Sequence, residues 1–545
     1  ALTFTNRAAE EMRERLDLLL GGETGAQPRV CTFHSFGLEL LRRSGLARAA
    51  RIADEPERLA LVARAIETVT GHVPTRAEAR RTAERLSRAK SGSRQETGDE
   101  EGLRDDALLA AYEEALRQAE GVDLDDLVLR ATEALEGAGG EALKADVRAV
   151  FVDEYQDLNP AQVRFLEALV GPGAELTAIG DPDQAIYGFR GADPTRIIDF
   201  EEDWPEARAL SLGRSYRSSD TILTAAAGVI ARAPGRARPR RWSGIEGEPQ
   251  VVTMSAATER AEADRIALAI ERLLGGTSLL SFDSGLVESH ASSTAESFAD
   301  VAVLYRLRRQ GEVIAESLSR LGLPVALPGR KGGALAESKA AREVVAALRV
   351  AAGRASPSDR ELVRGSRLSP EEAGELEAMA ATAAADELLE GAVRVVGADN
   401  EERAELDEAL GPLRRAARGL SLLARPAGLA PSAGRPVDAL LDWIALHDEP
   451  DLLDPRADRI SLLTLHGSKG LEWKVVFIAG CEDGLLPYRR PDTDPDIDEE
   501  RRLFFVGMTR AERLLVLCRA KERSLHGRGR GPSEPSPFLL DIEGS

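Results

Sequence analysis

The apolar run VRAVFVDE, ending at Glu154, constrains the fold more than any other stretch of the chain. Val and Phe fill it, and three carboxylates, Asp153, Glu154 and Asp157, stand at or just beyond its C-terminal end. A strand that is apolar at consecutive positions belongs in a parallel sheet covered on both faces. Ligands of open α/β sheets sit at the carboxyl edge of such strands. One carboxylate there suits a Mg²⁺ on a nucleotide phosphate, and a second could orient an attacking water. The same acids equally suit the first turn of a helix, where negative charge meets the positive end of the dipole. The rest of the chain has to decide.

Its 545 residues exceed one hydrophobic core, and roughly 150 residues per domain gives three or four domains. Hydrophobic content of 43% and charged content of 30% fit a globular protein. No apolar run approaches the ~20 residues of a membrane span, and no signal-peptide pattern is present. Cys31, Cys481 and Cys518 lie far apart without metal-ligand spacing, which points to a reducing, cytoplasmic compartment. A net charge of −21 argues against a basic coat but leaves room for a local basic track on which nucleic acid could lie.

Short strands and helices alternate at 1–45, 147–215, 242–332 and 459–519. Between them, 46–146 and 333–450 read as Ala/Leu/Glu/Arg helices at helical spacing, the first broken by the polar stretch 91–102. The pattern predicts an α/β protein with two sheet domains, each carrying a helical insertion. One sheet domain takes 1–40 and 146–212, with 41–145 inserted; the other takes 213–332 and 455–545, with 333–454 inserted. The Arg-rich stretch 232–241 suits a duplex contact or, more simply, a solvated loop.

In TAIGDPDQAIYGFRGAD (177–193) an apolar strand ends at Gly180-Asp181 and then presents Gln184, Tyr187, Phe189 and Arg190. An amide near a strand end can contact a phosphate, and aromatic rings with an arginine can stack on unpaired bases. Aromatics spaced by two also serve simply as packing.

Together, FVDEYQDLNPAQ and AIGDPDQAIYGFRGAD resemble the UvrD/PcrA/Rep-type superfamily-one DNA helicases. Further motifs of that family follow in order: LTFTNRAAEEM (2–12), TFHSFGLELL (32–41), VDLDDLV (122–128), LGRSYRSS (212–219) and VAVLYRLRRQ (301–310). The last two are 462–488, containing LHGSKGLEW, and 499–517, containing EERRLFFVGMTRA. The resemblance implies two RecA-like P-loop motor domains, ATP and Mg²⁺ as cofactors, and single-stranded and duplex DNA as partners. It implies 3′→5′ movement on one strand, in repair or replication.

Residue by residue, the resemblance makes Asp153 the Mg²⁺ ligand and Glu154 the group that polarises the hydrolytic water. Gln184 would sense the γ-phosphate, and Arg217 and Arg510 would act as arginine fingers. Tyr216 would stack on adenine, with Gly470 and Glu472 beside the nucleotide. Phe4, Tyr187 and Phe189 would stack on bases, and Thr5, Asn6, Thr32, His34, Arg190, Arg306 and His466 would line the strand's path. His34 and His466 equally suit structural roles.

The chain also departs from the family pattern. Ser215 replaces the usual Asn, Phe505 and Gly507 alter FYVAMTRA, and Phe189 stands where Trp is common. No G-x-x-x-x-G-K-[ST] occurs; GRKGG (329–333) and HGSKG (466–470) lack the pattern. The family's phosphate loop lies a few tens of residues ahead of TFTN, and the opening ALTFTN reads as a strand already in progress. The expectation is a chain that begins inside a larger protein and hydrolyses ATP poorly alone. A binding or regulatory remnant is the alternative.

Overall fold

The computed structural model describes residues 1–20, 28–46, 51–93, 99–233, 242–243, 250–275, 295–326, 338–365, 369–397, 400–423, 435–447, 457–489, 496–524 and 531–543. Most of the Arg-rich stretch, the middle of the polar break at 94–98 and GRKGG lie outside them. The chain packs as two units, one of residues 1–180, 189–193 and 329–452, the other of 181–188, 194–328 and 453–545.

The first unit holds a four-stranded parallel sheet in the order Cys31–Thr32, Leu2–Thr3, Ala149–Val152, Glu175–Ala178. Thr32 caps the helix Phe33–Arg43 by accepting from the Ser35 amide. Asn159 and Gln162 form a capping box for Pro160–Leu169, where Pro160 occupies the first turn and loses no helical bond. Phe33 and Phe36 meet Phe165 edge-on, at 6.0 and 6.2 Å between centroids, and join the two helices. Along the strand, Val150 and Val152 are buried whereas Phe151 is 49% exposed, and beyond the next strand Ile179 is 54% exposed. The run expected to be covered on both faces is thus covered on one.

Helices Glu55–Thr70, Arg76–Lys90 and Asp99–Gln118 surround a core that includes Val62, Ile66, Leu86, Leu108 and Tyr112. A second helical group, from Lys339–Ala351 to Pro436–Leu446, packs around Val344, Leu388, Leu410 and Leu440. It is tied to earlier residues of the same unit by an Arg42–Asp442 ion pair. Arg349 adds a second tie, bridging Asp54 at 2.6 Å and Asp359 at 3.1 Å.

The second unit is built on a seven-stranded sheet. Val325–Ala326, Ile460–Thr464, Val301–Tyr305, Trp473–Ile478 and Ala511–Arg523 follow one another in parallel; Gln250–Thr258 pairs parallel and Gly531–Pro532 antiparallel with the last of these. The central strand is buried throughout, and its period of two splits its side chains between two cores. Ala302 and Leu304 join Leu463, Ile478 and Leu517 on one face; Val301, Val303 and Tyr305 join Leu462, Phe477 and Val516 on the other. This strand meets the doubly covered expectation.

Two departures from the family pattern are packing choices. Phe505 lies in the apolar core at 3% exposure. A Cβ on Gly507 would stand 2.3 Å from Leu465 Cδ2, so glycine lets the helix Ile497–Met508 approach the sheet closely.

Candidate functional site

In the first unit, the predicted site residues gather at the carboxyl edge of the parallel sheet. Asp153 donates its amide to the Leu2 carbonyl at 2.9 Å, and Tyr155 donates to Ile179 at 3.0 Å, so pairing runs just past the strands. Between them Glu154 adopts φ 55°, ψ 43°, a left-handed conformation uncommon for a side chain with a Cβ. The buried Gln156 amide donates to the Glu154 carboxylate. A strained backbone and a donor thus aim this acid from a strand end, as sites requiring a positioned carboxylate often do.

Phe4, Thr5 and Asn6 follow the adjacent strand. The Thr5 hydroxyl accepts from the Ala8 amide, and Asn6 Nδ2 donates to the Leu446 carbonyl at 2.7 Å. Thr32, 4% exposed, is occupied as a helix cap, and His34 lies in that helix's first turn beside Ser91, Asp125 and Asn159. Phe189 is 43% exposed, with the Arg190 guanidinium 5.8 Å from its ring centroid.

In the second unit, Gln184 and Arg510, 326 residues apart in sequence, are hydrogen-bonded at 3.3 Å. Gln184 Nε2 donates to Asp181 at 3.0 Å, leaving its amide oxygen to accept from Arg510. Arg510 is 1% exposed; it also donates to the carbonyls of Val506 at 3.0 Å and Leu471 at 3.2 Å. These acceptors fix the orientation of the guanidinium. Next to Leu471, Glu472 takes Arg217 Nε at 2.6 Å. The Ser215 hydroxyl accepts from the amides of Arg217 and Ser218, both at 3.3 Å, so serine fixes this turn in place of the usual Asn. Tyr216 stands 75% exposed, with Arg214 5.0 Å from its ring centroid. Gly470 has φ 80° in the turn after His466–Ser468.

Arg306 occupies a different setting. Its guanidinium makes a forked pair with Glu500, at 2.7 to 3.2 Å, beside the Tyr488 ring. Sequence reading named Arg306 but not Glu500, 194 positions away. It also missed Arg214, Lys469 and Arg502, for which the density of cations in LGRSYR, HGSKG and EERR was the only available signal.

VDLDDLV resolves into a charge cluster. Lys90 Nζ lies 2.9 Å from Asp123 and 2.6 Å from Asp126, and Tyr112 donates to Asp123 at 3.0 Å. Burial opposes ionisation of Asp123, but Lys90, the Asp126 amide and Arg58 together outweigh it and hold the carboxyl below its ordinary value. Asp125 goes the other way: burial first, then the Asp123 carboxylate, push it up to about 6. An acid raised on folding contributes stability below its unfolded value of about 4, and that contribution is lost as pH rises through about 6. Asp125→Asn is expected to remove that loss, raising the melting temperature relative to wild type at pH 7 but not at pH 4. Parallel melting curves for the two proteins would show it, and curves with a constant offset would refute it.

Among the described residues, no group of three or more His, Cys, Asp or Glu is arranged to hold a metal ion by itself. Asp153 stands at the sheet edge just past its strand. No described helix is long and apolar enough to cross a membrane.

Comparison with known proteins places these features in a family. A family model described as the UvrD/REP helicase N-terminal domain matches residues 1–205, and one described as the UvrD-like helicase C-terminal domain matches 210–356 and 428–522. The ATP-dependent DNA helicase UvrD1 of Mycobacterium leprae is 32% identical over 97% of this chain and 77% of its own length. The ATP-dependent DNA helicase PcrA of Leuconostoc citreum is 29% identical over 99% of this chain and 78% of its own. The ATP-dependent DNA helicase Rep of Escherichia coli K12 is 28% identical over 99% and 86%. The two largely parallel sheets are accordingly RecA-like motor domains. The chain belongs to the UvrD/PcrA/Rep family of helicases.

Proposed function

We propose that this chain is the motor of an ATP-dependent DNA helicase that moves 3′→5′ along single-stranded DNA and unwinds duplex, in repair or replication. The observation that carries the reading is the buried Arg510, oriented by backbone carbonyls and bonded to the Gln184 amide. Such an arrangement holds a guanidinium and an amide in fixed positions, the preorganisation that phosphoryl transfer requires. ATP supplies the free energy. Glu154 would polarise the attacking water, Asp153 would hold Mg²⁺, Arg217 would join Arg510 at the γ-phosphate, and Tyr216 would offer its exposed ring to adenine. Phe4, Tyr187, Phe189 and Arg190 would meet bases and backbone, with Thr5, Asn6, Thr32, His34, Arg306 and His466 along the same track.

A second reading is favoured by one sequence fact: no G-x-x-x-x-G-K-[ST] lies within the 545 residues. On that reading the chain binds single strands without turning over ATP. Binding itself is common to both. Anisotropy with a labelled single-stranded oligonucleotide is expected to show salt-sensitive binding, weakened about tenfold by Phe189→Ala, since base stacking is worth roughly 1–3 kcal/mol. An unchanged affinity would remove Phe189 from the contact. Absence of binding by the wild type would overturn both readings.

A further inference from the structure

We propose that Lys469 and Arg502 are positioning residues that fasten segment 184–188 to the second unit, so that the Gln184 amide and the Tyr187 ring move as one piece. The inference rests on the reading above that Gln184 faces phosphate and Tyr187 stacks on a base.

The segment has little regular structure of its own. A 3₁₀ turn ends at Gln184, and the following backbone has no ladder to satisfy its polar groups. Two consecutive carbonyls are instead taken by cations from two separate elements. Gln184 O accepts from Lys469 Nζ at 2.8 Å, out of the turn after His466–Ser468. Ala185 O accepts from Arg502 Nε at 2.7 Å, out of the helix Ile497–Met508. Hydrogen bonds from ionised donors are roughly twice as strong as neutral ones.

Residues on either side complete the attachment. Ile186 is fully buried in the core that contains Leu465, Leu471 and Phe505. Tyr187 packs against that core, with Lys469 Nζ 5.6 Å from its ring centroid. A Cβ on Gly188 would stand 2.6 Å from Glu499 Oε2, so the backbone passes close against that carboxylate. Lys469 therefore touches both ends of the device: the carbonyl of the residue bonded to Arg510 and the face of the stacking ring. A change at the nucleotide side of Gln184 is conveyed to Tyr187 over three residues of clamped backbone.

A lysine in this place could instead meet a DNA phosphate directly, and a double-mutant cycle separates the roles. With the full chain and a labelled single-stranded oligonucleotide, Lys469→Met is expected to weaken binding three- to tenfold with the salt slope unchanged. In the Tyr187→Ala background it should cost less than twofold more. Hydrogen exchange of the 184–188 amides should quicken at least tenfold in Lys469→Met and in Arg502→Met, with partial restoration in Arg502→Lys. Melting curves select variants that remain folded, and Arg502→Met substitutes if Lys469→Met does not. Additive losses with a salt slope reduced by about one would overturn the proposal in favour of a phosphate contact. Unchanged exchange would show that the two bonds hold nothing. Should the wild type bind no single strand, the functional reading fails, and the exchange arm still decides whether the clamp exists.

Discussion

Phosphate release by the 545-residue chain is expected to stay near background with or without single-stranded DNA. Joining a strand, a G-x-x-x-x-G-K-[ST] loop and a helix ahead of Leu2 should raise it by about 10²–10³ or more. The magnitude follows from what such a loop provides. A glycine-rich turn opening a helix aims several backbone N–H groups at phosphate oxygens, and its lysine adds a charge. Loss of even one preorganised donor costs about 10²–10³ in rate elsewhere. On the proposed reading, Asp153 and Glu154 would meet a polyanion without that cradle. Glu154→Gln in the chimera should then lower turnover by about 10²–10⁴, as removal of a general base does. The sheet provides an independent readout. Phe151 and Ile179 are 49% and 54% exposed, so a helix added over that face should raise the melting temperature and lower the binding of an apolar dye. Brisk DNA-stimulated turnover by the chain alone would place the phosphate site elsewhere, and a silent but folded chimera would favour the binding reading.

Arg523→Met is expected to produce the largest loss of stability in the second unit, about 3–5 kcal/mol. Arg523 lies between Glu262 and Glu482, with all three side chains at 5% exposure or less. Glu482 takes Arg523 Nε at 2.6 Å and the Ala520 amide at 2.6 Å; Glu262 takes the Gly480 amide at 3.0 Å. Burial pushes the Glu262 carboxyl above its ordinary value, with Glu482 adding to the rise and Arg523 opposing it. Removing the arginine leaves two buried carboxylates facing each other. The sign of the pH effect follows. An acid raised on folding favours the folded state below its unfolded value and loses that contribution as pH climbs through the folded one. The penalty should therefore be smaller at pH 5 than at pH 8, where the Glu262 carboxyl would have to ionise. Melting curves at the two pH values check this, and adding Glu262→Gln and Glu482→Gln should recover most of the loss. A pH-independent loss below about 1 kcal/mol would mean that packing, not charge, is what Arg523 supplies.

Fold class was legible because strand ends and chemistry coincide in sequence. Val301–Tyr305 and Trp473–Ile478 are apolar runs that become doubly covered strands, and the acids after Val152 lie at a sheet edge. Side-chain partnerships were not legible, because they join residues distant in the chain. The Glu500 fork on Arg306 and the Lys90 contact with Asp123 look, in sequence, like ordinary solvated charges. Gly507 reads as a motif irregularity until the neighbouring Leu465 methyl is seen where an alanine Cβ would stand. Phe151 misled in the other direction: an apolar run states a preference for burial, not whether both faces are met.

The interleaving of the two units bears on how a ribosome delivers this protein. The first unit draws on residues 1–180 and again on 329–452; the second draws on 194–328 and again on 453–545. During synthesis, the strand Val301–Tyr305 emerges well before both of its neighbours in the sheet, Ile460–Thr464 and Trp473–Ile478. Five apolar residues with open edges must therefore wait through more than 150 codons for either partner. Folding is held back until late in translation, nascent chains stalled before residue 460 should recruit chaperones, and N-terminal fragments cut at any single point would inherit one incomplete core or two.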